Sequence, residues 1–150
     1  MAKDKTTKKP AINPKKTTTQ VTVPSVNQKV VWLFDNVDMD GDFAFNPDKI
    51  DSDANVILEK IIYYSSMTWS EVTKQTHDGG KSKHHFLDYK GLSESAKSRL
   101  FAKRISDDRW EQIFSFALNN KLRIVGLREN EKFHVLWYDP NHEVYPMKEK

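Results

Sequence analysis

The chain has 150 residues, enough for one folded domain with a single core. With 37% hydrophobic and 30% charged residues it is polar, yet too apolar to be disordered throughout. The sequence contains no cysteine, which excludes disulfides, thiolate metal sites and a cysteine nucleophile and favours a reducing, cytoplasmic location. No apolar run approaches the ~20 residues that a membrane-spanning helix needs, so we expect no membrane partner.

The net charge of +3 is distributed unevenly along the chain. Residues 1–20 hold six lysines and one aspartate, a balance of +5, so the other 130 residues carry −2. Residues 1–27 are also rich in proline and threonine and contain almost no large apolar side chain. We therefore predict a disordered basic tail over residues 1–27 and a single domain over residues 28–150. The tail is interpreted as a solvated arm or as a non-specific phosphate-binding arm.

The first predicted elements are one strand and two helices. The apolar run Val30–Phe34 indicates a short strand. A helix is expected to begin near Asp51–Asp53, whose carboxylates suit a helix N-terminus, and to continue to about Ser65. Thr68 and Glu71 then have the spacing of a capping box, which predicts a short second helix after Thr68.

An aspartate-rich segment separates the predicted strand from the first helix. Residues 36–47 place oxygen ligands at alternate positions, as a calcium-binding loop does, but the twelfth position holds Pro47 where such a loop needs a bidentate glutamate. We therefore interpret the segment as a solvated acidic turn. Phe43 and Phe45 are expected to dock on the core.

The second half of the chain predicts one further helix and a sheet. A polar loop over residues 77–83 leads to a short strand, and a third helix follows over residues 93–105. The remaining pattern has a period of two, which predicts an antiparallel meander of three strands at residues 113–118, 122–125 and 133–138. The predicted fold class is α+β: an antiparallel three- to four-stranded sheet packed against two or three helices.

Two adjacent histidines occupy the short strand after the polar loop. Side chains on a strand alternate between its two sides, so we expect one of His84 and His85 to be packed and the other exposed. Lys81 and Lys83 precede them in a glycine-containing run that lacks the spacing of a phosphate-binding P-loop. A weak metal site here would need carboxylate partners from elsewhere in the chain.

The predicted last strand carries polar side chains among apolar ones. Strand alternation predicts that His134, Leu136 and Tyr138 share one face and that Trp137 lies on the other. Arg123, on the neighbouring strand, is expected to share a face with Val125. We therefore predict that arginine, histidine and tyrosine side chains gather at one open edge of the sheet, with the core on the opposite face.

These residue types match the requirements of RNA cleavage without a metal ion. That reaction needs a base for the 2′-hydroxyl proton, cations for the phosphorane and an acid for the leaving 5′-oxygen. Histidine, arginine, lysine and tyrosine supply all three, and aromatic rings stack on unpaired bases. His142 and Tyr145, which follow the last strand, are expected to fold across the sheet or to cap its edge.

The order of elements resembles the RelE/YoeB family of toxin ribonucleases over roughly residues 29–146. The resemblance consists of a leading strand, two helices and a meander that bears Arg123 and Arg128, followed by His142 and Tyr145. It implies a cytoplasmic, metal-independent endoribonuclease (an mRNA interferase) that needs no cofactor, with ribosome-bound mRNA as substrate and a cognate antitoxin as partner.

The resemblance also implies roles for individual residues. Arg123 or Arg128 would stabilise the phosphate, Lys81 or Lys83 would help to hold it, and His142 and Tyr145 would resemble the family's C-terminal acid and stacking groups. Their positions on the predicted strands add three candidates for substrate binding: His85, His134 and Tyr138.

Two other functions remain open at this stage. One is a non-enzymatic module that binds RNA or a protein. The other is a metal-dependent nuclease or other hydrolase that uses His84, His85 and His142 together with the acidic residues. The Asp-Pro-Asn-His-Glu-Val-Tyr-Pro stretch that begins at Asp139 also resembles the end of a group of small uncharacterised proteins, which implies no function.

Overall fold

The computed structural model describes residues 24–146. Most of the predicted tail, residues 1–23, lies outside the described residues, as do residues 147–150. Within the described part, Ser25–Asn27 form a turn of 3₁₀ helix. The neighbouring Gln28 carbonyl accepts a hydrogen bond from the Trp69 N–H at 3.0 Å. The described structure therefore includes a 3₁₀ turn immediately before residue 28, the predicted start of the domain.

The described residues form five strands and four helices. The strands are β1 (Val31–Leu33), β2 (His85–Phe86), β3 (Ile113–Asn119), β4 (Leu122–Glu129) and β5 (Lys132–Asp139). The helices are α1 (Pro47–Ile50), α2 (Ala54–Ser65), α3 (Trp69–Thr73) and α4 (Glu94–Ala102). Short 3₁₀ turns at Asp51–Asp53, Tyr89–Gly91 and Asp107–Gln112 connect several of them. None of the helices in residues 24–146 has the length and apolar character to cross a membrane.

The strands form one sheet in the order β1-β5-β4-β3-β2. The β2–β3, β3–β4 and β4–β5 pairs are antiparallel, whereas β1 lies parallel to β5. The α+β character is confirmed, but the prediction of an antiparallel sheet with three or four strands needs correction. Periodicity in the sequence locates strands but does not identify their partners, and β1 pairs with a strand about 100 residues later.

Both faces of the sheet are buried, which contradicts the predicted open face. Neighbouring residues of β4, Ile124 and Val125, belong to different core clusters. The Ile124 cluster is covered by α2 and α3, which contribute Tyr64 and Trp69. The Val125 cluster is covered by α4, which contributes Leu100. The functional side chains must therefore lie at an end of the sheet, where the helices do not cover it.

A β-bulge in β5 explains why its predicted faces were partly wrong. The pairing with β4 moves from Gly126↔Val135 to Val125↔Trp137, which leaves Leu136 as an extra residue. Leu136 and Trp137 consequently lie in the same core cluster, and Tyr138 lies in the other. The prediction that Tyr138 shares a face with Leu136 is therefore wrong.

Several local predictions are confirmed. Thr68 and Glu71 form the capping box of α3. Ser93 caps α4, and Asn120 has the positive φ, 48°, expected in the turn after β3. Helical structure begins earlier than predicted, at Pro47, where the Asn46 side chain accepts a hydrogen bond from the Lys49 N–H.

The acidic segment is not a fully solvated turn, because Asp38 is buried. Its carboxylate accepts hydrogen bonds from Arg99 Nε and Nη2 at 2.9 and 2.7 Å and from Trp137 Nε1 at 2.9 Å. Burial alone would raise the pKa of Asp38, but these hydrogen bonds hold it below its usual value. Asp38 thus ties the segment to α4 and β5. As predicted, Phe43 and Phe45 dock on the core.

Candidate functional site: a cationic cleft

A cleft of about 680 Å³ opens at one end of the sheet. The loop before β2, the turn after it, the start of β4 and the C-terminal segment form its walls. Four lining side chains carry an ammonium or guanidinium group and three are imidazoles: Lys81, Lys83, Lys90, Arg123, His77, His85 and His142. Its less polar lining consists of Gly91, Leu92, Tyr145 and Pro146. None of the described residues that line it is acidic, so the cleft attracts anions.

The loop before β2 presents two of the lysines. Gly79 and Gly80 have φ values of 93° and 86°, a conformation that favours glycine. The loop is closed by hydrogen bonds from the His77 N–H to the Lys81 carbonyl (2.8 Å) and from the Lys83 N–H to the Gln75 carbonyl (2.9 Å). The two glycines therefore reverse the chain and bring Lys81 and Lys83 to the mouth of the cleft.

His84 and His85 face opposite sides, as predicted. His85 is exposed and lines the cleft, whereas only 1% of His84 is exposed. The His84 Nδ1 accepts a hydrogen bond from the Ala117 N–H at 3.0 Å, so the proton of the neutral ring lies on Nε2, which donates to Gln75 Oε1 at 2.8 Å. Burial, together with the nearby Lys83 charge, lowers the pKa of His84 to about 3. His84 is thus a neutral packing residue.

Arg123 contributes the cation at the floor of the cleft. As predicted, it shares a side of β4 with Val125, since both line a small cavity beneath the cleft. Its Nη1 donates to the carbonyls of Asn120 (2.7 Å) and Leu122 (3.1 Å). Burial lowers the pKa of Arg123, but a guanidinium stays charged at neutral pH. Within residues 24–146 its Nε and Nη2 donate no hydrogen bond and remain available to a ligand.

The buried carboxylate of Asp139 shapes the C-terminal segment. It accepts hydrogen bonds from the Glu143 N–H at 2.8 Å and the Val144 N–H at 2.9 Å. Burial nevertheless raises the pKa of Asp139. The Val144 carbonyl accepts a hydrogen bond from the Ser93 N–H at 2.9 Å, which ties the segment to the start of α4. The resulting turn, with His142 at φ 60°, places His142 at the cleft.

Tyr145 rests directly against Gly91. A Cβ atom added at Gly91 would overlap Tyr145 Cε1 and lie 2.8 Å from the Tyr145 hydroxyl oxygen. Only glycine therefore permits this approach, and the aromatic ring is held as part of the cleft wall.

The structure brings six of the nine predicted site residues into this cleft: Lys81, Lys83, His85, Arg123, His142 and Tyr145. Arg128 lies elsewhere, with its guanidinium carbon 4.1 Å from the centre of the Trp69 ring and 5.7 Å from that of Phe86. Arg128 therefore packs between aromatic rings of the sheet's other face and does not adjoin Arg123.

His134 and Tyr138 also lie outside the cleft. The His134 Nδ1 is 2.9 Å from Asp35 Oδ1, and its Nε2 is 3.6 Å from Glu129 Oε1. The Tyr138 hydroxyl donates to Asp53 Oδ2 at 2.6 Å, and burial together with this carboxylate raises the pKa of Tyr138 to about 12. The expected gathering of both residues with Arg123 is therefore wrong. Arg123 pairs with Asp139, whereas His134 lies at the other end of β5, and the bulge turns Tyr138 into the core.

Two of the basic side chains that line the cleft were not predicted from the sequence, His77 and Lys90. His77 belongs to the same polar loop as Lys81, and that proximity was a usable signal. Lys90 follows β2 by four residues, and only the 3₁₀ turn at Tyr89–Gly91 brings it to the cleft.

No group of three or more histidine, aspartate or glutamate side chains within residues 24–146 is arranged to hold a metal ion. His84, one of the candidates for such a site, has both ring nitrogens engaged in hydrogen bonds inside the protein.

The chain matches no protein-family model, no curated protein and no solved structure. The resemblance to toxin ribonucleases therefore stays a prediction, and the function has to be argued from the cleft itself.

Proposed function

We propose that the protein binds single-stranded RNA in the cationic cleft and cleaves it without a metal ion. The observation that carries the proposal is the convergence of three lysines, one arginine and three imidazoles in one cavity, with no carboxylate among its described lining residues. Because RNA carries a negative charge at every phosphate, such a cavity binds it through contacts that weaken with added salt. Tyr145 adds an aromatic surface to the same wall.

The proposed reaction is an internal transphosphorylation. A neutral His85 takes the proton of the 2′-hydroxyl, O2′ forms a bond to phosphorus, and the bond from phosphorus to O5′ breaks. A protonated His142 donates its proton to O5′, so the products are a 2′,3′-cyclic phosphate and a free 5′-hydroxyl. Arg123 and the lysines stabilise the extra negative charge of the phosphorane.

Incubation of the purified full-length chain with end-labelled single-stranded RNA, with and without EDTA, tests the proposal. We expect cleavage that EDTA does not change and 3′ ends that carry the cyclic phosphate. Cleavage that EDTA abolishes would instead indicate a metal-dependent hydrolase. Because the substrate implied by the resemblance is ribosome-bound mRNA, the assay is repeated with mRNA on translating ribosomes.

A second candidate is an RNA-binding module without catalytic activity. One observation favours it: His142 makes no side-chain hydrogen bond to any described residue, and His85 Nδ1 contacts only the Phe86 carbonyl, at 3.1 Å. Catalytic histidines are commonly oriented by a third group. RNA binding without cleavage, on free RNA and on ribosomes, would support this candidate and reject the nuclease.

A further inference from the structure

A second cavity, of about 300 Å³, adjoins the cationic cleft. Lys83 lines both cavities, so they meet at its side chain. Lys83 is joined in the second cavity by four residues of α2 and one that follows α3: Glu59, Lys60, Tyr63, Tyr64 and Gln75. A chain molecule that leaves the cleft past Lys83 therefore enters this cavity next.

Tyr63 is a half-exposed aromatic ring that its neighbours hold in place. Its exposed fraction is 49%, its hydroxyl accepts a hydrogen bond from Gln75 Nε2 at 3.4 Å, and its ring centre lies 5.0 Å from that of Tyr64. Gln75 is itself fixed, because its Oε1 accepts from the buried His84 Nε2 at 2.8 Å and from the Tyr64 hydroxyl at 3.2 Å. The Tyr63 ring is thus anchored to the core while one part of it faces solvent.

The charges around this ring suit a phosphate ester. Lys60 Nζ lies 5.7 Å from the centre of the Tyr63 ring, and Lys83 stands on the side toward the cleft. Glu59 is the one acidic side chain among the described residues that line the cavity, and it is exposed. An aromatic ring in a cavity that two lysines also line matches a nucleotide, whose base stacks while its flanking phosphates pair with cations.

On the basis of the proposed function, we propose that this cavity is a subsite for RNA that extends beyond the nucleotide in the cleft. One unpaired base stacks on Tyr63, and the phosphates that connect it to the cleft contact Lys83 and Lys60. The ligand is single-stranded, because a base inside a duplex does not expose its face to the ring.

Fluorescence anisotropy on the full-length chain tests the subsite with two RNA probes. The probes are a dinucleotide and an oligouridine of about eight nucleotides, both 2′-O-methylated so that the proposed reaction cannot cleave them. We expect the wild type to bind the longer probe about tenfold more tightly, the range that stacking of one base supplies. Tyr63→Ala and Lys60→Ala should each remove most of that gain and leave dinucleotide binding unchanged.

Matched variants separate the subsite from general effects of charge and surface area. Phe101→Ala removes an exposed aromatic ring on α4, and Lys132→Ala removes an exposed lysine at the far end of β5. Neither substitution should change the affinity for either RNA probe. Tyr63→Phe keeps the ring but loses the hydrogen bond from Gln75, so it should retain most of the gain. Glu59→Gln should tighten binding of the longer probe only. If Tyr63→Ala fails to fold, Tyr63→Leu provides the same test.

The outcomes distinguish this inference from the proposed function. Failure of the wild type to bind the dinucleotide would reject RNA binding in the cleft. Dinucleotide binding without a gain for the longer probe, or a gain that Tyr63→Ala and Lys60→Ala leave intact, would reject the subsite alone. An equal loss for both probes in Tyr63→Ala would place Tyr63 in the cleft and would also overturn the subsite.

Discussion

The short segment from His85 to Gly91 separates two cavities of opposite charge. On one side, His85, Lys90 and Gly91 line the cationic cleft. On the other side, a groove of about 500 Å³ is lined by residues of the same segment and of the 3₁₀ turn before β3: Phe86, Leu87, Asp88, Tyr89, Asp107, Trp110 and Glu111. Three of these are acidic, and none of the described residues that line the groove is cationic.

This comparison shows why net charge is a poor guide to the binding properties of the folded part. Residues 21–150 carry a balance of only −2, which favours no anionic partner. The fold nevertheless places cations and carboxylates on different sides of β2 and of the turn that follows it. A ligand responds to the local potential within about a Debye length, roughly 8 Å at physiological salt, and not to the average over the chain.

The largest expected effects come from removing the cleft's central cation or its proposed acid. Arg123→Ala and His142→Ala should each reduce RNA cleavage by about 10²-fold or more, the usual loss when a group that stabilises a transition state or transfers a proton is removed. The rate of cyclic phosphate formation measures the effect. Glu111→Gln, across the segment in the acidic groove, is the matched control. Wild-type rates in both cleft variants would reject the site assignment.

The next effect concerns the packing of Tyr145 against Gly91. Gly91→Ala should displace the tyrosine ring, because the added Cβ would overlap it, and RNA affinity should fall about tenfold, the scale of one aromatic stacking contact. Tyr145→Ala should weaken binding to a similar extent. Because both changes remove the same contact, the double variant should bind no more weakly than Tyr145→Ala alone. Additive losses would show that Gly91 acts through something other than Tyr145.

The sequence was informative about the cleft to the extent that its residues lie close together along the chain. Lys81, Lys83 and His85 belong to one loop and strand, and alternation correctly separated His85 from His84. His142 and Tyr145 were identified because they follow the last strand. The positions of these residues followed from local rules of chain geometry, whereas the roles of the lysines, His142 and Tyr145 were implied by the resemblance to toxin ribonucleases.

The structural features that the sequence did not reveal depend on packing between segments that are distant along the chain. The bulge at Leu136 depends on contacts with a distant segment, since the Leu136 carbonyl accepts a hydrogen bond from the Asp38 N–H at 2.9 Å. Nothing in the local pattern of β5 indicates an extra residue there, so Tyr138 was assigned to the wrong face. Likewise, the pairing of β1 with β5 and the position of Lys90 follow from the whole fold.

The third expected effect is on the pH dependence of stability. It depends on the buried His84 and not on His85, its neighbour in the cleft. The folded-state pKa of His84, about 3, lies below its ordinary value of 6.5, because burial and the adjacent cations disfavour the charged ring. The folded state therefore binds fewer protons than the unfolded state. Its stabilising contribution is complete above pH 6.5 and falls as the pH drops toward 3, by roughly 1 kcal/mol per pH unit.

Chemical denaturation at several pH values measures this contribution. His84→Asn keeps an acceptor for the Ala117 N–H but cannot be protonated, so the free energy of unfolding should fall less steeply between pH 6 and pH 4 than in the wild type. His85→Asn, one position further along the chain, should keep the wild-type slope. Equal slopes in the wild type and His84→Asn would show that His84 does not control acid stability.

The smallest expected effect tests whether the cationic cleft and the acidic groove act separately on RNA. Lys90→Ala, on the cleft side of the 3₁₀ turn, should weaken RNA binding several-fold at physiological salt, as expected for the loss of one phosphate contact. Glu111→Gln and Asp107→Asn, on the groove side, should change it by less than about twofold, because these side chains line the groove and not the cleft, and salt screens exposed charges. All three side chains are exposed, so none of the substitutions should disturb the core. Changes of equal size in RNA affinity from the cleft-side and groove-side substitutions would mean that RNA responds to the overall charge of the folded part. That result would reject the cleft as the binding site.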